Sequence, residues 1–373
     1  MKIGIDARSL EFSNTGVGRY LSNLLKFWKK EKSNQFVLYF KNKTPNDELI
    51  DSDNFEKVLL KNPLGFSSNF FFQHFLLSYA LKRDKIDFFF SPFYLKPIYC
   101  PVRSSISLHD ISYEVHPEWF DFKSQFILKK LSKFSAKTAD KIFTVSDYSK
   151  SEIIKYYHIG SDKITVTNLA PDNSFHKIEN LDKIRDIKEK YGIKKKYIFC
   201  VGTIFSRRRI PEIVEAFEKI LNKHRDYQLL IVGKNVTYPF IDIDNKIEMT
   251  NNKFKEKKII HLDFVSEEEL LIFYSSCDFI VYLSDYEGFG LPVIEAQFFG
   301  KPVITSYNSS LVEVGGDSVE FVKENTAEEV QKSIERIISD EDYKNELIGK
   351  GSENLKRFSW EKCAKETLNR VLS

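Results

Sequence analysis

The sequence predicts an α/β protein made of two Rossmann-like halves. Short apolar, β-branched and aromatic runs alternate along the 373-residue chain with stretches of helical periodicity. That is the pattern of an open parallel sheet covered on both faces by helices. A strand, a glycine turn and a helix also follow one another at the start of the chain and again near residues 197–212 and 279–300. Such a junction makes an anion site, because unpaired N–H groups and the positive end of the helix dipole point outward.

In the first half, residues 2–7 read as a strand, Thr15-Gly-Val-Gly-Arg-Tyr20 as a turn, and Leu21, Leu24, Leu25, Phe27 and Trp28 as one face of a helix. The dinucleotide fingerprint is missing, since no third glycine follows Gly16 and Gly18 at the required spacing. This argues against a dehydrogenase. Further strands are expected at 35–41, 57–61, 86–93, 104–108, 141–146 and 164–167. Ligands of such sheets bind at the carboxyl ends of the strands, which is where His109-Asp110 falls. Ser146 either N-caps the next helix or joins the site. Residues 122–140 read as a helix with Phe126, Leu131 and Phe134 on one side and Lys129, Lys130, Lys133 and Lys137 around the rest. That pattern fits either a core-facing stripe under solvated lysines or an interfacial helix on an anionic membrane.

The second half opens after a polar stretch at 175–186, so domains of 1–178 and 179–357 are expected. A strand at 197–203 runs into Ile204-Phe-Ser-Arg-Arg-Arg-Ile-Pro211 and a helix over 211–223. Three adjacent arginines at a strand-to-helix loop suit an anion, and guanidinium forks match phosphate oxygens. Strands follow at 228–232 and 259–265, with Ser266 as the N-cap of a helix; 235–258 gives no clear pattern. The densest stretch is Ser284-Asp-Tyr-Glu-Gly-Phe-Gly-Leu-Pro-Val-Ile-Glu-Ala-Gln-Phe-Phe-Gly300, after a strand at 279–283. Gly288 and Gly290 permit a sharp turn, Pro292 suits a first helical turn, and Gly300 suits the end of the helix. Two carboxylates beside an anion site, Glu287 and Glu295, would repel the ligand unless they face its hydroxyls.

Composition excludes several classes. A hydrophobic fraction of 42% with 29% charged residues is ordinary for a globular protein, and a formal charge of +3 gives no reason to expect a nucleic-acid partner. The 4 cysteines are scattered, as expected of free thiols in a reducing compartment and not of a disulfide framework. No metal site and no other cofactor are expected. The N-terminal residues lack the apolar segment of a signal peptide, and no apolar run approaches the ~20 residues of a membrane span. A cytoplasmic protein is therefore expected.

Glu287 and Glu295, with seven residues between them that include Gly-Phe-Gly-Leu-Pro, resemble the signature of the retaining family-4 glycosyltransferases of the GT-B type. The resemblance extends over essentially the whole chain and is loosest at 30–100. It implies two facing Rossmann-like domains with a central cleft, and a last helix at about 358–373 that packs back on the first. It implies transfer of a sugar from a nucleotide-sugar donor, with retention, to a glycan or lipid-linked acceptor. A GDP-mannose donor, a cell-surface polysaccharide and work at the inner face of the cell membrane are the favoured particulars. In the family the position of His109 approaches the donor sugar and that of Glu287 contacts it. Glu295 matches the ribose contact, and Gly288, Phe289, Gly290 and Leu291 belong to the loop whose amides bind sugar hydroxyls and diphosphate. Gly16 and Gly18 match a loop near the donor phosphate. Thr203, Arg207 and Arg208 match a Gly-Thr…Arg-Lys-Asn segment that grips the diphosphate, with Arg208 in the lysine position and Arg209 in the asparagine position. Val265 matches a backbone contact to the base. Other GT-B activities, such as a sucrose-type or glucan synthase, and a catalytically silent nucleotide-sugar-binding subunit stand as alternatives.

Overall fold

Residues 1–11, 16–61 and 68–373 are described in the computed structural model of the chain, the side chains of 122–124 excepted. They form two units, Met1–Asn173 with Ser359–Ser373, and Ser174–Phe358. Among the described residues the first unit holds β1 (Lys2–Asp6), β2 (Gln35–Phe40), β3 (Phe55–Leu59), β4 (Phe88–Ser91), β5 (Arg103–Ser107), β6 (Lys141–Thr144) and β7 (Ile164–Val166), in the order β3-β2-β1-β4-β5-β6-β7. The second holds β8 (Lys196–Val201), β9 (Tyr227–Val232), β10 (Ile259–Leu262), β11 (Phe279–Tyr282), β12 (Val303–Ser306) and β13 (Glu320–Val322), in the order β10-β9-β8-β11-β12-β13.

Neighbouring strands are parallel throughout, as in the β1 pairings Ile5 with Leu38 and Ile5 with Phe90. Helices on both faces explain why the central strands are continuously apolar: Phe36 to Phe40 are all buried. Each strand order reverses beside the first strand of its unit, between β1 and β4 and between β8 and β11. The chain leaves in opposite directions at such a point, and the crevice at the carboxyl ends is where doubly wound sheets bind ligands.

Several expectations are corrected. Gly16 and Gly18 lie in the first turn of the helix Gly16–Trp28, not in a free glycine turn, and Thr15 falls outside the described residues. The stretch 235–258 contains the helix Ile243–Phe254, capped by Asp242 and anchored by Ile243 and Ile247. The strand expected at 259–265 ends at Leu262, so Val265 sits in the loop before the capping box of Ser266 and Glu269. Of the two readings of the helix Phe122–Thr138, the core-facing stripe fails at Phe126 and Phe134, and Leu131 is half-buried. Ser132, Ser135 and Ala136 face the interior, while Phe126, Ile127 and Phe134 are exposed.

The last helix, Trp360–Leu372, belongs to the first unit and packs along Gly16–Trp28. Trp28 Nε1 donates to the Ala364 carbonyl (2.9 Å), Trp360 Nε1 donates to the Pro171 carbonyl (3.0 Å), and both indoles are buried. Removing a buried indole costs about 3–5 kcal/mol. Trp360→Ala should therefore lower the urea midpoint of the first unit's unfolding transition in the intact chain; an unmoved midpoint would show that the helix contributes no stability there.

Candidate functional site

At the β8/β11 switch point the loops after two strands are tied together by charge. Arg208 follows β8 through a short 3-10 turn, Ser206–Arg208, and its Nη1 lies 3.0 Å from Glu287 Oε1 in the loop after β11. Arg207 Nε approaches the same oxygen at 3.6 Å. Ser284 Oγ donates to it at 2.8 Å, and the Glu287 amide donates to Ser309 Oγ at 3.1 Å. Arg208 also lies over the Tyr282 ring, 4.2 Å from its centroid. Burial opposes the Arg208 charge, but Glu287 and Tyr282 outweigh it and hold the guanidinium above its ordinary pKa. Its Nε and Nη1 are both buried without a hydrogen bond, so the contact with Glu287 is an ion pair.

Gly290 shapes the next step. It caps the helix Leu291–Phe298 at φ +98°, a backbone that other residues rarely adopt, and a Cβ there would press on Leu311 Cδ2 at 2.6 Å. Pro292 occupies the first helical turn. At the far end the Gly300 amide donates to Gln297 O and the Lys301 amide to Ala296 O, both at 2.9 Å, with Gly300 at φ +69° closing the helix. Glu295 lies inside this helix, buried, and accepts a 2.6 Å hydrogen bond from the Tyr274 hydroxyl. Burial and the neighbouring Glu295 push the Tyr274 pKa well up, so the phenol stays a donor. Glu287 thus meets the cations Arg208 and Arg207, and Glu295 accepts from the Tyr274 hydroxyl.

Gly202 and Gly233, at the ends of β8 and β9, approach so closely that a Cβ on Gly233 would lie 2.1 Å from the Gly202 carbonyl oxygen. Thr203 beyond them is exposed, and Val265 is buried. In the first unit His109 follows β5. Its Nε2 must donate to the Pro92 carbonyl (3.2 Å), since a carbonyl only accepts, and Tyr20 meets its ring edge-on at 4.8 Å. Burial pulls the imidazole pKa down, against the Pro92 bond and Asp110, and favours a neutral ring with Nδ1 as acceptor. Asp110 caps the following turn through the Ser112 amide (2.8 Å), and Ser146 N-caps Asp147–Tyr157.

Sequence reasoning missed a second ion pair. Arg209 has the left-handed backbone (φ 53°) that asparagine tolerates and arginine does not favour. Its Nε reaches Asp285 at 2.8 Å and its Nη1 reaches Glu212 at 3.0 Å. Asp285 also accepts from Asn325 (2.9 Å), and its amide donates to the Arg207 carbonyl (2.9 Å). Arg209 is therefore a strut between the two loops, with its charge already matched. Only the triple arginine signalled it.

The chain holds three Asp-x-Asp spacings, at 51/53, 242/244 and 340/342. Asp51 pairs with Lys57, Asp242 and Asp340 each cap a helix, and Asp244 bonds His261 at 2.7 Å. Among the described residues no group of three His, Cys, Asp or Glu side chains could hold a metal ion.

Two doubly wound units, with a cation-matched glutamate and a glycine-capped helix at the second switch point, define a glycosyltransferase of the GT-B fold. The model of Glycosyltransferase Family 4 matches residues 14–170 and that of Glycosyl transferases group 1 matches 183–354, so the chain belongs to the family-4 glycosyltransferases. It is 26% identical over 388 residues to O-antigen chain mannosyltransferase B of Escherichia coli, covering 99% of each chain. It is 30% identical over 233 residues to O-antigen chain mannosyltransferase RfbU of Salmonella typhimurium, covering 62% of this chain and 60% of that one. Among solved structures, sucrose-phosphate synthase of Thermosynechococcus elongatus matches with a TM-score of 0.76 at 18% identity, covering 100% of this chain and 99% of that one. Anabaena HepE in complex with UDP and glucose matches at 0.75 and 14%, with the same coverage. At these identities the structural likeness concerns the fold alone.

The Arg209–Asp285 pair is partly exposed, which places its value at about 1–2 kcal/mol, between exposed and buried charge pairs. Asp285→Ala should destabilise the second unit by that amount in urea unfolding. Arg209→Asn should cost less, because asparagine accepts the left-handed backbone; equal stability of Asp285→Ala and the parent would remove the strut.

Proposed function

We propose that the protein transfers mannose from GDP-mannose, with retention, to a hydroxyl of a growing lipid-linked cell-surface polysaccharide. The observation that carries this reading is the Arg208–Glu287 pair beside the Gly290-capped helix. Cations suited to a diphosphate, N–H groups at a helix start and a carboxylate for sugar hydroxyls converge there. The choice of mannose and of a surface polysaccharide draws on the names of the two mannosyltransferase relatives. HepE, solved in complex with UDP and glucose, keeps a uridine donor as the alternative to be tested.

In the reaction, the bond between the sugar's anomeric carbon and the diphosphate oxygen breaks, and the acceptor oxygen bonds to that carbon on the same face. The acceptor's proton passes to the departing phosphate oxygen. No enzyme carboxylate needs to form a covalent intermediate. Arg207, Arg208 and the helix N-terminus stabilise the charge growing on the diphosphate. Glu287 stabilises the positive charge growing on the sugar, and neutral His109 offers Nδ1 as an acceptor to a sugar hydroxyl. Glu295 holds the ribose; Thr203, Gly288, Phe289 and Leu291 line the diphosphate and sugar, and Val265 meets the base through its backbone. Gly16 and Gly18 stand at a helix start that would meet the phosphate end of the donor.

Among the described residues no helix is long and apolar enough to cross a membrane, and contact with the inner face of the cell membrane through Phe122–Thr138 is part of the same proposal. Titration of a panel of nucleotide sugars by calorimetry tests the donor, and binding of none would overturn the reading. With arginines in the place of a divalent cation, activity should survive excess EDTA; loss with rescue by magnesium or manganese would exclude a metal-free site. The two glutamates separate by kinetics. A ribose contact is equal in ground and transition states, so Glu295→Gln should raise donor KM and weaken nucleoside diphosphate binding. Glu287→Gln should mainly lower kcat and leave that binding nearly constant. The reverse pattern would exchange the two roles.

A further inference from the structure

We propose that the first unit docks on an anionic lipid bilayer through an apolar face wider than the basic helix, built from the helical run 69–83, the loop 92–103 and the helix Phe122–Thr138. The inference rests on the reading of a lipid-linked acceptor and adds the surface that would bring the enzyme to it.

Large side chains on this face stand in water. Phe75 is 56% exposed, Tyr79 67%, Tyr99 67%, Phe126 52%, Ile127 56% and Phe134 39%. They are not scattered. The three segments are stitched side by side by hydrogen bonds from the Ile98 amide to His74 Nδ1 (3.2 Å), from Ser78 Oγ to the Tyr99 carbonyl (2.6 Å) and from the Lys96 amide to Ser135 Oγ (3.2 Å). Topology agrees. The crossovers β3 to β4 and β5 to β6 run in the same direction across the sheet, so right-handed connections put both helices on one face. The helix 69–83 buries Phe72, Leu77 and Leu81 beneath it, so its outward aromatics are surplus to the core.

Charge decides the occupant. None of the residues 69–83, 92–103 and 122–138 is acidic, although the chain has 53 Asp and Glu in 373 residues. Lys82, Lys130 and Lys137 are exposed among the aromatics, and Lys130 lies 5.7 Å from the Phe126 ring centroid. The nearby carboxylates Glu114 and Asp84 are already paired, with Lys129 and Arg83, so a second copy placed face to face would set Lys82, Lys130 and Lys137 against the same lysines. An anionic headgroup layer supplies the missing charge, and the interface below it takes Phe, Tyr and Ile side chains while lysine stems reach back to the headgroups. The distribution is that of an interfacial surface.

The test is sedimentation of the full chain with vesicles of phosphatidylglycerol and phosphatidylethanolamine, and with phosphatidylcholine alone, at low and high salt. Wild type should be retained on the anionic vesicles, less so in high salt, and hardly on phosphatidylcholine. Lys130→Glu with Lys137→Glu should lose the low-salt gain. Phe75→Ser with Tyr79→Ser should reduce retention at least fivefold at both salts, with circular dichroism and GDP-mannose affinity unchanged. Equal recovery in the supernatant with and without vesicles would overturn the proposal, as would retention of the Phe75/Tyr79 variant at the wild-type level. Self-association that this variant abolishes, without vesicle binding, would assign the face to a second copy. Donor binding in the same preparations keeps the outcomes apart: intact affinity without vesicle retention sinks the docking face alone, whereas vesicle retention without donor binding sinks the reaction and leaves the surface.

Discussion

A largely enclosed carboxylate between two loops draws cations to it, and the second unit is arranged around one such group. Glu287 is held by Arg208 at 3.0 Å, with Arg207 beyond. An arginine as enclosed as Arg208 would be costly by itself, since burial opposes its charge. Each group makes the other tolerable. The pair also spans two loops that are far apart in sequence and come together only because β8 and β11 are neighbours in the sheet. Assembly of the charge cluster therefore depends on the strand order, and the strand order on the reversal that follows β10.

The strut of Arg209 and Asp285 extends the same principle. Three arginines in a row repel, and folding disperses them: two point to Glu287 and the third turns away to Asp285 and Glu212. The left-handed residue between the 3-10 turn and the helix Ile210–Ile220 is what reverses the direction of the third side chain. Gly202 and Gly233 bring the neighbouring loop ends within backbone contact, and Gly290 lets the helix Leu291–Phe298 start against Leu311.

Much of this was legible in the sequence, and the reasons are local. The signals that carried were cap residues and apolar runs: Gly300 ends its helix, Ser266 opens one with Glu269, and the strand after Asp278 is continuously apolar. The failures were of two kinds. Gly16 and Gly18 resemble a turn because glycine is a poor helix former, yet Tyr20, Leu21, Leu24 and Leu25 are buried on one face, and that packing carries the helix back through them. Ile243–Phe254 offers little but Ile243 and Ile247 to a periodicity search. The second kind is non-local. Neither the Asp285–Arg209 pair, separated by 76 residues, nor the outward aspect of Phe126 can be read from spacing alone. An aromatic stripe announces an apolar neighbour; it does not say whether that neighbour is the core.

The return of Trp360–Leu372 to the first unit has a consequence for synthesis. Trp28 bonds to the backbone of Ala364, 336 residues further along, and Trp360 to that of Pro171, 189 residues back. The ribosome delivers the second unit in one uninterrupted stretch, whereas the first must wait, with the flank of Gly16–Trp28 uncovered, until residues 359–373 emerge. Domains ordinarily fold in the order in which they are made. Here the unit begun first is completed last.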